Sequence, residues 1–192
     1  MSPSETALRE MHDQLAIQDR LYHYAELVDF GNNPRIAKEI FAPDGIADFG
    51  IAAITGYENL HDFYSNSPIF TKFPKDLDGL RHDIDNVRVR FDDADHAQSS
   101  ARVAAYHWHR SERAGGTSRP ADLLIAGMYQ DEWVRLDVGW RIKRRRGGQF
   151  GTGIAAGKPP AGMDALFAGL LGRIPTWDGK WIETPFANAN KN

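Results

Sequence analysis

The second half of the chain carries four long segments in which apolar and polar residues alternate, as they do in half-buried β-strands. The segments are Leu80 to Phe91, His96 to Arg110, Ala121 to Arg135 and Trp140 to Arg146. Turn sequences at Asp92 to Asp95 and at Asp137 to Gly139 join the first pair and the last pair. Strands joined by short turns pair in antiparallel order, so this half of the chain predicts an antiparallel meander.

The first half of the chain has the pattern of helices. A capping box at Ser2 to Glu5, with proline in the first turn, begins a long predicted helix that runs to about Phe30 and ends at Gly31. The remaining predicted elements of this half are two short helices, beginning at Asn33 and at Gly56, and a first strand from Ile46 to Ile54. Helices followed by a meander predict an α+β fold, with the helices packed on one face of a curved sheet.

One face of the long helix brings a carboxylate to an apolar stripe. At about 100° per residue, the stripe is formed by Ile17, Leu21, Tyr24 and Val28. Tyr24 and Asp29 lie on opposite margins of this stripe, so both can lean into one pocket. A carboxylate at the edge of an apolar face costs free energy unless it is paired or used. Asp29 is therefore either exposed at the helix end or paired with another group.

His82 and His107 are the candidate partners of Asp29. An imidazole held by a carboxylate is a common general base, so Asp29, His82 and Tyr24, together with His107, are interpreted as a proton-transfer site. Each of these residues alone also fits a purely structural role. His82 has the opposite parity to Val87 along its strand, so both face inward only if a β-bulge lies between them.

His107 and His109 also allow a metal site. Two histidines at i and i+2 on a strand project to one side, and with His82 or Asp29 they could bind zinc or iron. No second motif of fixed spacing supports this alternative, and we predict that neither a metal nor another cofactor is required. The sequence contains no cysteine, no phosphate-binding loop and no nucleophile elbow.

The overall charge and hydropathy exclude several classes of partner. A formal charge of -3 argues against nucleic-acid binding. The basic run Arg141 to Arg146 follows strand-like alternation and is interpreted as a solvated strand face or an interface. No apolar stretch reaches the roughly 18 residues of a membrane span, and no signal-peptide core is present. We therefore expect a cytoplasmic protein that binds neither nucleic acid nor membranes.

The order of the short motifs points to a known family. The motifs are Tyr24-x(4)-Asp29, Phe41-Ala42-Pro43-Asp44-Gly45, Gly56, His82-x(3)-Asn86, His107, Gly127-x-Tyr129-x-Asp131-Glu132 and Gly139-Trp140-Arg141-Ile142. Over about residues 8 to 146 the chain resembles a SnoaL-like domain of the nuclear-transport-factor-2-like superfamily. This resemblance implies a cone-shaped α+β barrel, in which a curved antiparallel sheet carries N-terminal helices on its concave face. It also implies a deep apolar pocket and no required cofactor.

The resemblance extends to individual residues of scytalone dehydratase, bile acid 7α-dehydratase and hexachlorocyclohexane dehydrochlorinase. Asp29 and His82 match the carboxylate–histidine pair of the family. Tyr24 matches a tyrosine of the bile acid dehydratase, and His107 matches the second histidine of scytalone dehydratase. Phe49 stands where scytalone dehydratase has a tyrosine, so the acid of that enzyme does not carry over. The residues assigned to substrate binding are Phe49, Asn86, His109 and Tyr129.

We therefore expect a cofactor-independent lyase that acts on a small hydrophobic cyclic or aromatic substrate by dehydration, a related elimination or retro-aldol cleavage. His82, held by Asp29, would be the general base. One alternative is a double-bond isomerase or cyclase, which needs the same groups. The other is a non-catalytic small subunit of an aromatic-ring dioxygenase.

The domain prediction places one domain at residues 1–148 and a tail at 149–192. The tail is expected to cover the pocket or a neighbouring subunit.

The first half of the long helix carries a second apolar stripe, which points away from the core stripe and consists of Leu8, Met11 and Leu15. Soluble monomers rarely expose large apolar surfaces, so we predict a homo-oligomer, with a trimer favoured over a dimer.

Overall fold

The predicted long helix is present as α1 (Pro3–Asp29) in the computed structural model, which describes residues 3–49, 53–71, 77–110, 120–147 and 154–157. Gly31, two residues beyond the end of the helix, has a φ of 70°, a left-handed conformation that glycine adopts at little cost. The Gly31 N–H donates to the Val28 carbonyl at 3.1 Å, and the Asn32 N–H donates to the Leu27 carbonyl at 2.7 Å. This Schellman ending fixes Asp29 in the last turn of α1.

Short elements follow α1 and lead into the sheet. They are the 3-10 helix η1 (Asn33–Arg35), α2 (Ile36–Ile40), β1 (Phe41–Asp48), β2 (Ala53–Thr55), α3 (Tyr57–Asn66) and α4 (Pro68–Thr71). The prediction of one strand over Ile46 to Ile54 is wrong, because β1 begins at Phe41 and β2 pairs back onto it. Pro43 and Gly45, which indicated a turn, lie where the pairing of β1 with its neighbour is irregular.

The predicted meander is confirmed and forms one sheet with β1 and β2. Its strands are β3 (Leu77–Phe91), β4 (His96–His109), β5 (Leu123–Leu136) and β6 (Gly139–Gly147), in the order β2-β1-β6-β5-β4-β3 across the sheet. β1 pairs with β6 in parallel, so the sheet is mixed and not wholly antiparallel as expected. The fold is α+β, with β2 and β3 at the two ends of the described strand order.

The β-bulge predicted in β3 is also present. The pairing of β3 with β4 shifts by one residue between Asp85 and Arg88, so that Asn86 and Val87 together face Ala101. The bulge allows the apolar residues of both halves of β3 to pack on the same core.

The core lies between α1 and the inner face of the sheet. The residues of α1 predicted to face inward are all buried: Ile17, Leu21, Tyr24 and Val28. They pack in one cluster with β-sheet residues that include Trp133, Trp140 and Ile142. The displaced apolar stripe is exposed as predicted, with Leu8 at 66%, Met11 at 63% and Leu15 at 65% of full exposure.

Residues 149–153 and 158–192 of the predicted tail lie outside the described residues. Between them, β7 (Ile154–Gly157) pairs with Leu123 to Ala126 of β5. Among the described residues, no helix is both long enough and apolar enough to cross a membrane.

Candidate active site

Asp29 and His82 form a close pair between the last turn of α1 and strand β3. The His82 ring Nδ1 lies 2.6 Å from Asp29 Oδ1, and the His82 backbone N–H donates to Asp29 Oδ2 at 2.9 Å. The two side chains retain only 12% and 15% of their exposure. Both carboxylate oxygens are therefore engaged by one residue, and the structure brings these two predicted residues together.

The chemistry of this pair follows from the carboxylate. A negative charge in the last turn of a helix opposes the helix dipole, so Asp29 depends on donors from elsewhere in the fold. An ionised carboxylate only accepts hydrogen bonds, which assigns the ring proton of His82 to Nδ1. The lone pair is then on Nε2, and this atom can take up a proton while Asp29 stabilises the resulting imidazolium.

His107 lies on the same face of the sheet as His82. β3 and β4 pair His82 with Ala105, and alternate residues of a strand share a face. The His107 Nδ1 donates to the Leu123 carbonyl oxygen at 3.3 Å. Burial, assisted by the nearby His82 ring, lowers the pKa of His107 from 6.5 to about 3. His107 is therefore neutral near pH 7 and carries its lone pair on Nε2.

Tyr24 belongs to a buried cluster of tyrosines around one arginine, Arg145. The ring centroid of Tyr24 lies 5.8 Å from that of Tyr129 and 6.4 Å from that of Tyr64, both edge to face. The Arg145 guanidinium lies 4.3 Å from the Tyr24 ring centroid and 4.2 Å from the Tyr129 ring centroid. Burial raises the pKa of Tyr64 and of Tyr129 well above 10.0, so both hydroxyls stay protonated at neutral pH.

Arg145 is one of the two residues of this cluster, with Tyr64, that sequence reasoning did not assign to the site. It is fully buried and binds Asp131, also fully buried, through two hydrogen bonds of 2.9 and 2.8 Å. Burial disfavours its charge, but Asp131 and the two tyrosines outweigh this, so the pKa of Arg145 lies above its ordinary value. Interpreting the whole basic run as a solvated face or interface was wrong for Arg145. The pairing of β5 with β6 shifts between Glu132 and Trp133. The alternation of residues within the basic run does not reveal this shift.

Two of the predicted substrate-binding residues, Phe49 and Tyr129, meet at Gly147. A Cβ atom at Gly147 would lie 2.7 Å from the Phe49 ring and 3.2 Å from the Tyr129 ring, so a bare glycine is needed for this contact. Phe49 also stacks on Phe63, with ring centroids 6.0 Å apart. An aromatic surface therefore extends from the tyrosine cluster toward α3.

The other two predicted substrate-binding residues lie elsewhere. Asn86 is in the bulge of β3, where its side chain is exposed. His109 is buried on the inner face of β4, and its backbone N–H donates to the Asp122 carboxylate at 2.8 Å. The structure thus groups Phe49 and Tyr129 with Tyr24, and it places Asn86 at the surface.

A cavity of about 380 Å³ opens beside the end of α1. It lies between the loop after α1 and the helices α3 and α4, and its lining includes Gly31, Asn33, Tyr64 and Phe70. This volume falls in the range of small-molecule sites. Tyr64 also contacts Tyr24, so the cavity and the tyrosine cluster are neighbours.

A metal site needs several donor side chains close together. Within the described ranges, no group of three or more His, Cys, Asp or Glu side chains is arranged to hold a metal ion. One nitrogen of His107 is already engaged by the Leu123 carbonyl.

Residues 9–146 match the SnoaL-like domain family. The chain belongs to this family. The match runs from within α1 to Arg146 of β6, so it contains the Asp29–His82 pair and the tyrosine cluster. No curated protein matches the chain in sequence.

Solved structures show the same NTF2-like fold as this SnoaL-like chain. A candidate scytalone dehydratase from Novosphingobium aromaticivorans DSM 12444 superposes with a TM-score of 0.64 at 21% identity, covering 92% of this chain and 98% of that one. An NTF2-like protein with a cystatin-like fold from Novosphingobium aromaticivorans gives 0.62 at 18% identity, with 77% and 88% coverage. The hexachlorocyclohexane dehydrochlorinase LinA-type3 from Novosphingobium barchaimii LL02 gives 0.57 at 25% identity, with 73% and 88% coverage.

Proposed function

We propose that this SnoaL-like protein is a cofactor-independent lyase that eliminates water, or a comparable leaving group, from a small hydrophobic cyclic or aromatic substrate. The observation that carries the proposal is the 2.6 Å contact between His82 Nδ1 and Asp29 Oδ1, which leaves Nε2 as the base. The Asp29 carboxylate engages both the ring and the backbone N–H of His82, which fixes the orientation of the ring and stabilises its protonated form.

In the proposed reaction, His82 Nε2 takes a proton from a carbon next to the leaving group. The electron pair of that C–H bond forms the new double bond, and the leaving oxygen departs with a proton from an acid. Asp29 stabilises the imidazolium that forms. The imidazolium then loses its proton to solvent and the acid takes up a proton from solvent, which restores both groups.

Tyr24 is the acid we assign, in preference to His107. The Nδ1–H of His107 is engaged by the Leu123 carbonyl, and a pKa of about 3 leaves no proton on its Nε2 at neutral pH. His107 therefore has no proton to give to a leaving group. Tyr24 has a hydroxyl proton, and the guanidinium of Arg145 4.3 Å from its ring would stabilise the tyrosinate that proton donation leaves.

The substrate class rests on the surfaces around these groups. Phe49, Phe63 and Tyr129 offer aromatic faces, which suits a planar or cyclic apolar molecule. Two structural neighbours are named as a dehydratase and a dehydrochlorinase, and both names denote eliminations. Isomerisation and retro-aldol cleavage use the same base and are separated by the products.

The test uses a panel of small alicyclic and aromatic hydroxy compounds, followed by mass spectrometry for loss of water and by NMR in D₂O for exchange of acidic C–H positions. We expect turnover in buffer that contains EDTA. Asp29→Asn and His82→Ala should each lower it by roughly 10²-fold or more. Turnover of the double variant should be little lower than that of the less active single variant, because the pair acts as a unit.

The matched control is Asp19→Asn, which changes an exposed carboxylate of the same helix and should leave turnover intact. If the losses at Asp29 and His82 add, the two residues do not cooperate and the dyad assignment fails. If neither substitution changes turnover, the proposed function fails as a whole.

A further inference from the structure

Asn86 has an unusual backbone conformation at the bulge of β3. Its φ of 50° is the only positive φ among the described non-glycine residues. It is the first of the two residues, Asn86 and Val87, that face Ala101 across the strand pair. A left-handed first residue defines the type of bulge that normally takes glycine, and asparagine is one of the few other residues that tolerate this conformation.

The bulge decides which residues of β3 face the core. On one side of it the residues packed against the core are Val87, Val89 and Phe91, and on the other side they are Leu80 and Ile84 together with the partly buried His82. An odd step of three residues separates Val87 from Ile84, so the alternation changes parity at Asn86. A regular strand would turn Arg81, Asp83 and Asp85 inward and His82 outward.

The bulge also sets the direction of the His82 backbone N–H. Neighbouring positions of a strand alternate in the edge toward which their N–H groups point. β3 is at the end of the described strand order and pairs with β4 on one side. On its other side the His82 N–H reaches Asp29 Oδ2 at 2.9 Å. A slip of one residue would turn both the ring and the N–H of His82 away from Asp29.

We propose that Asn86 is a positioning residue for His82, acting through its left-handed backbone conformation and not through contact with substrate. Its exposed side chain agrees with this role. The role of His82 as a base rests on the proposed function. The position of His82 beside Asp29 does not depend on any reaction and can be measured without a substrate.

The experiment compares Asn86→Gly and Asn86→Val in the full chain, with Arg88→Val as the matched control, since Arg88 is an exposed residue of the same strand beyond the bulge. Glycine keeps the left-handed conformation, whereas a β-branched residue is strained there. In ¹⁵N-histidine NMR, the low-field Nδ1–H resonance of His82, assigned by its loss in His82→Ala, should persist in wild type, Asn86→Gly and Arg88→Val. It should be lost in Asn86→Val.

Amide hydrogen exchange gives a second readout. The backbone N–H of His82 should exchange at least tenfold faster in Asn86→Val than in Asn86→Gly, with circular dichroism confirming that both are folded. If the valine variant does not fold, Asn86→Ala takes its place with the same expected losses. Retention of the His82 resonance and amide protection in Asn86→Val, or their loss in Asn86→Gly, overturns the inference. Neither readout uses turnover, so a failure of the proposed lyase function would appear separately, as unchanged turnover in His82→Ala.

Discussion

His107→Gln should change how the stability of the protein depends on pH. Glutamine keeps an N–H that can donate to the Leu123 carbonyl, but it does not titrate. In the native protein the pKa of His107 lies at about 3, chiefly because the ring is buried. In the unfolded chain it returns to its ordinary value of 6.5. Replacing His107 therefore removes one difference in proton uptake between the folded and unfolded states.

The sign of the effect follows from that difference. Between about pH 6.5 and pH 3 the unfolded chain binds a proton at His107 that the folded chain does not, so the free energy of unfolding falls as the pH is lowered. The full gap between these pKa values corresponds to roughly 5 kcal/mol, as an upper bound. By pH 5 about 2 kcal/mol of stability should be lost through His107 alone, and very little of that loss occurs above pH 7.

Urea unfolding of wild type and His107→Gln at pH 7.5, 6 and 5 measures this effect. Between pH 7.5 and pH 5, the free energy of unfolding of wild type should fall by about 2 kcal/mol more than that of the variant. Gln14→Asn, an exposed substitution on α1 that removes no titrating group, is the control and should track wild type. Parallel curves for wild type and His107→Gln would show that His107 is not held neutral by burial, and the reasoning would be refuted.

Three further outcomes are expected. Tyr24→Phe keeps the ring contacts and should fold normally but turn over more slowly, with a smaller loss than Asp29→Asn; unchanged turnover would reduce Tyr24 to packing. Light scattering at micromolar concentration should give a multiple of the 21.5 kDa chain mass, with three copies favoured, because the apolar stripe that contains Leu15 is exposed. A measured mass of one chain would contradict this. Truncation after Gly157 keeps β7 and should preserve thermal stability and oligomeric state while weakening turnover, whereas unfolding or dissociation would show that the tail is structural.

The sequence supports the placement of His82 because alternation along a strand is a local property. The mismatch in parity between His82 and Val87 predicted a bulge, and the shifted pairing between Asp85 and Arg88 confirms it. The end of α1 was equally readable, since Gly31 supplies the left-handed residue that its ending needs. Signals of this kind depend on a few neighbouring residues, and no knowledge of distant partners is required.

Other features depend on partners far along the chain and could not be inferred. The partner of Arg145, Asp131, is on another strand, and a second shift in pairing hides its parity within the basic run. The parallel pairing of β1 with β6 joins segments that share no turn, so nothing local indicates it. Asn86 was assigned to substrate because it lies within a family motif, whereas its φ, which suggests another role, is visible only in the structure.

The parallel pairing of β1 with β6 has a consequence for how the chain folds. It joins Asp48 to Arg146 and closes a loop of about 100 residues, whereas β3 to β6 pair through local connections. Contacts that are distant in sequence tend to be made late, after local ones have formed. The Asp29–His82 pair spans 53 residues and also joins the helical half to the meander. A chain with its meander complete but its helices undocked would therefore have most of its sheet and His82, but no Asp29 to orient the imidazole, so the Asp29–His82 pair forms only when the helices dock.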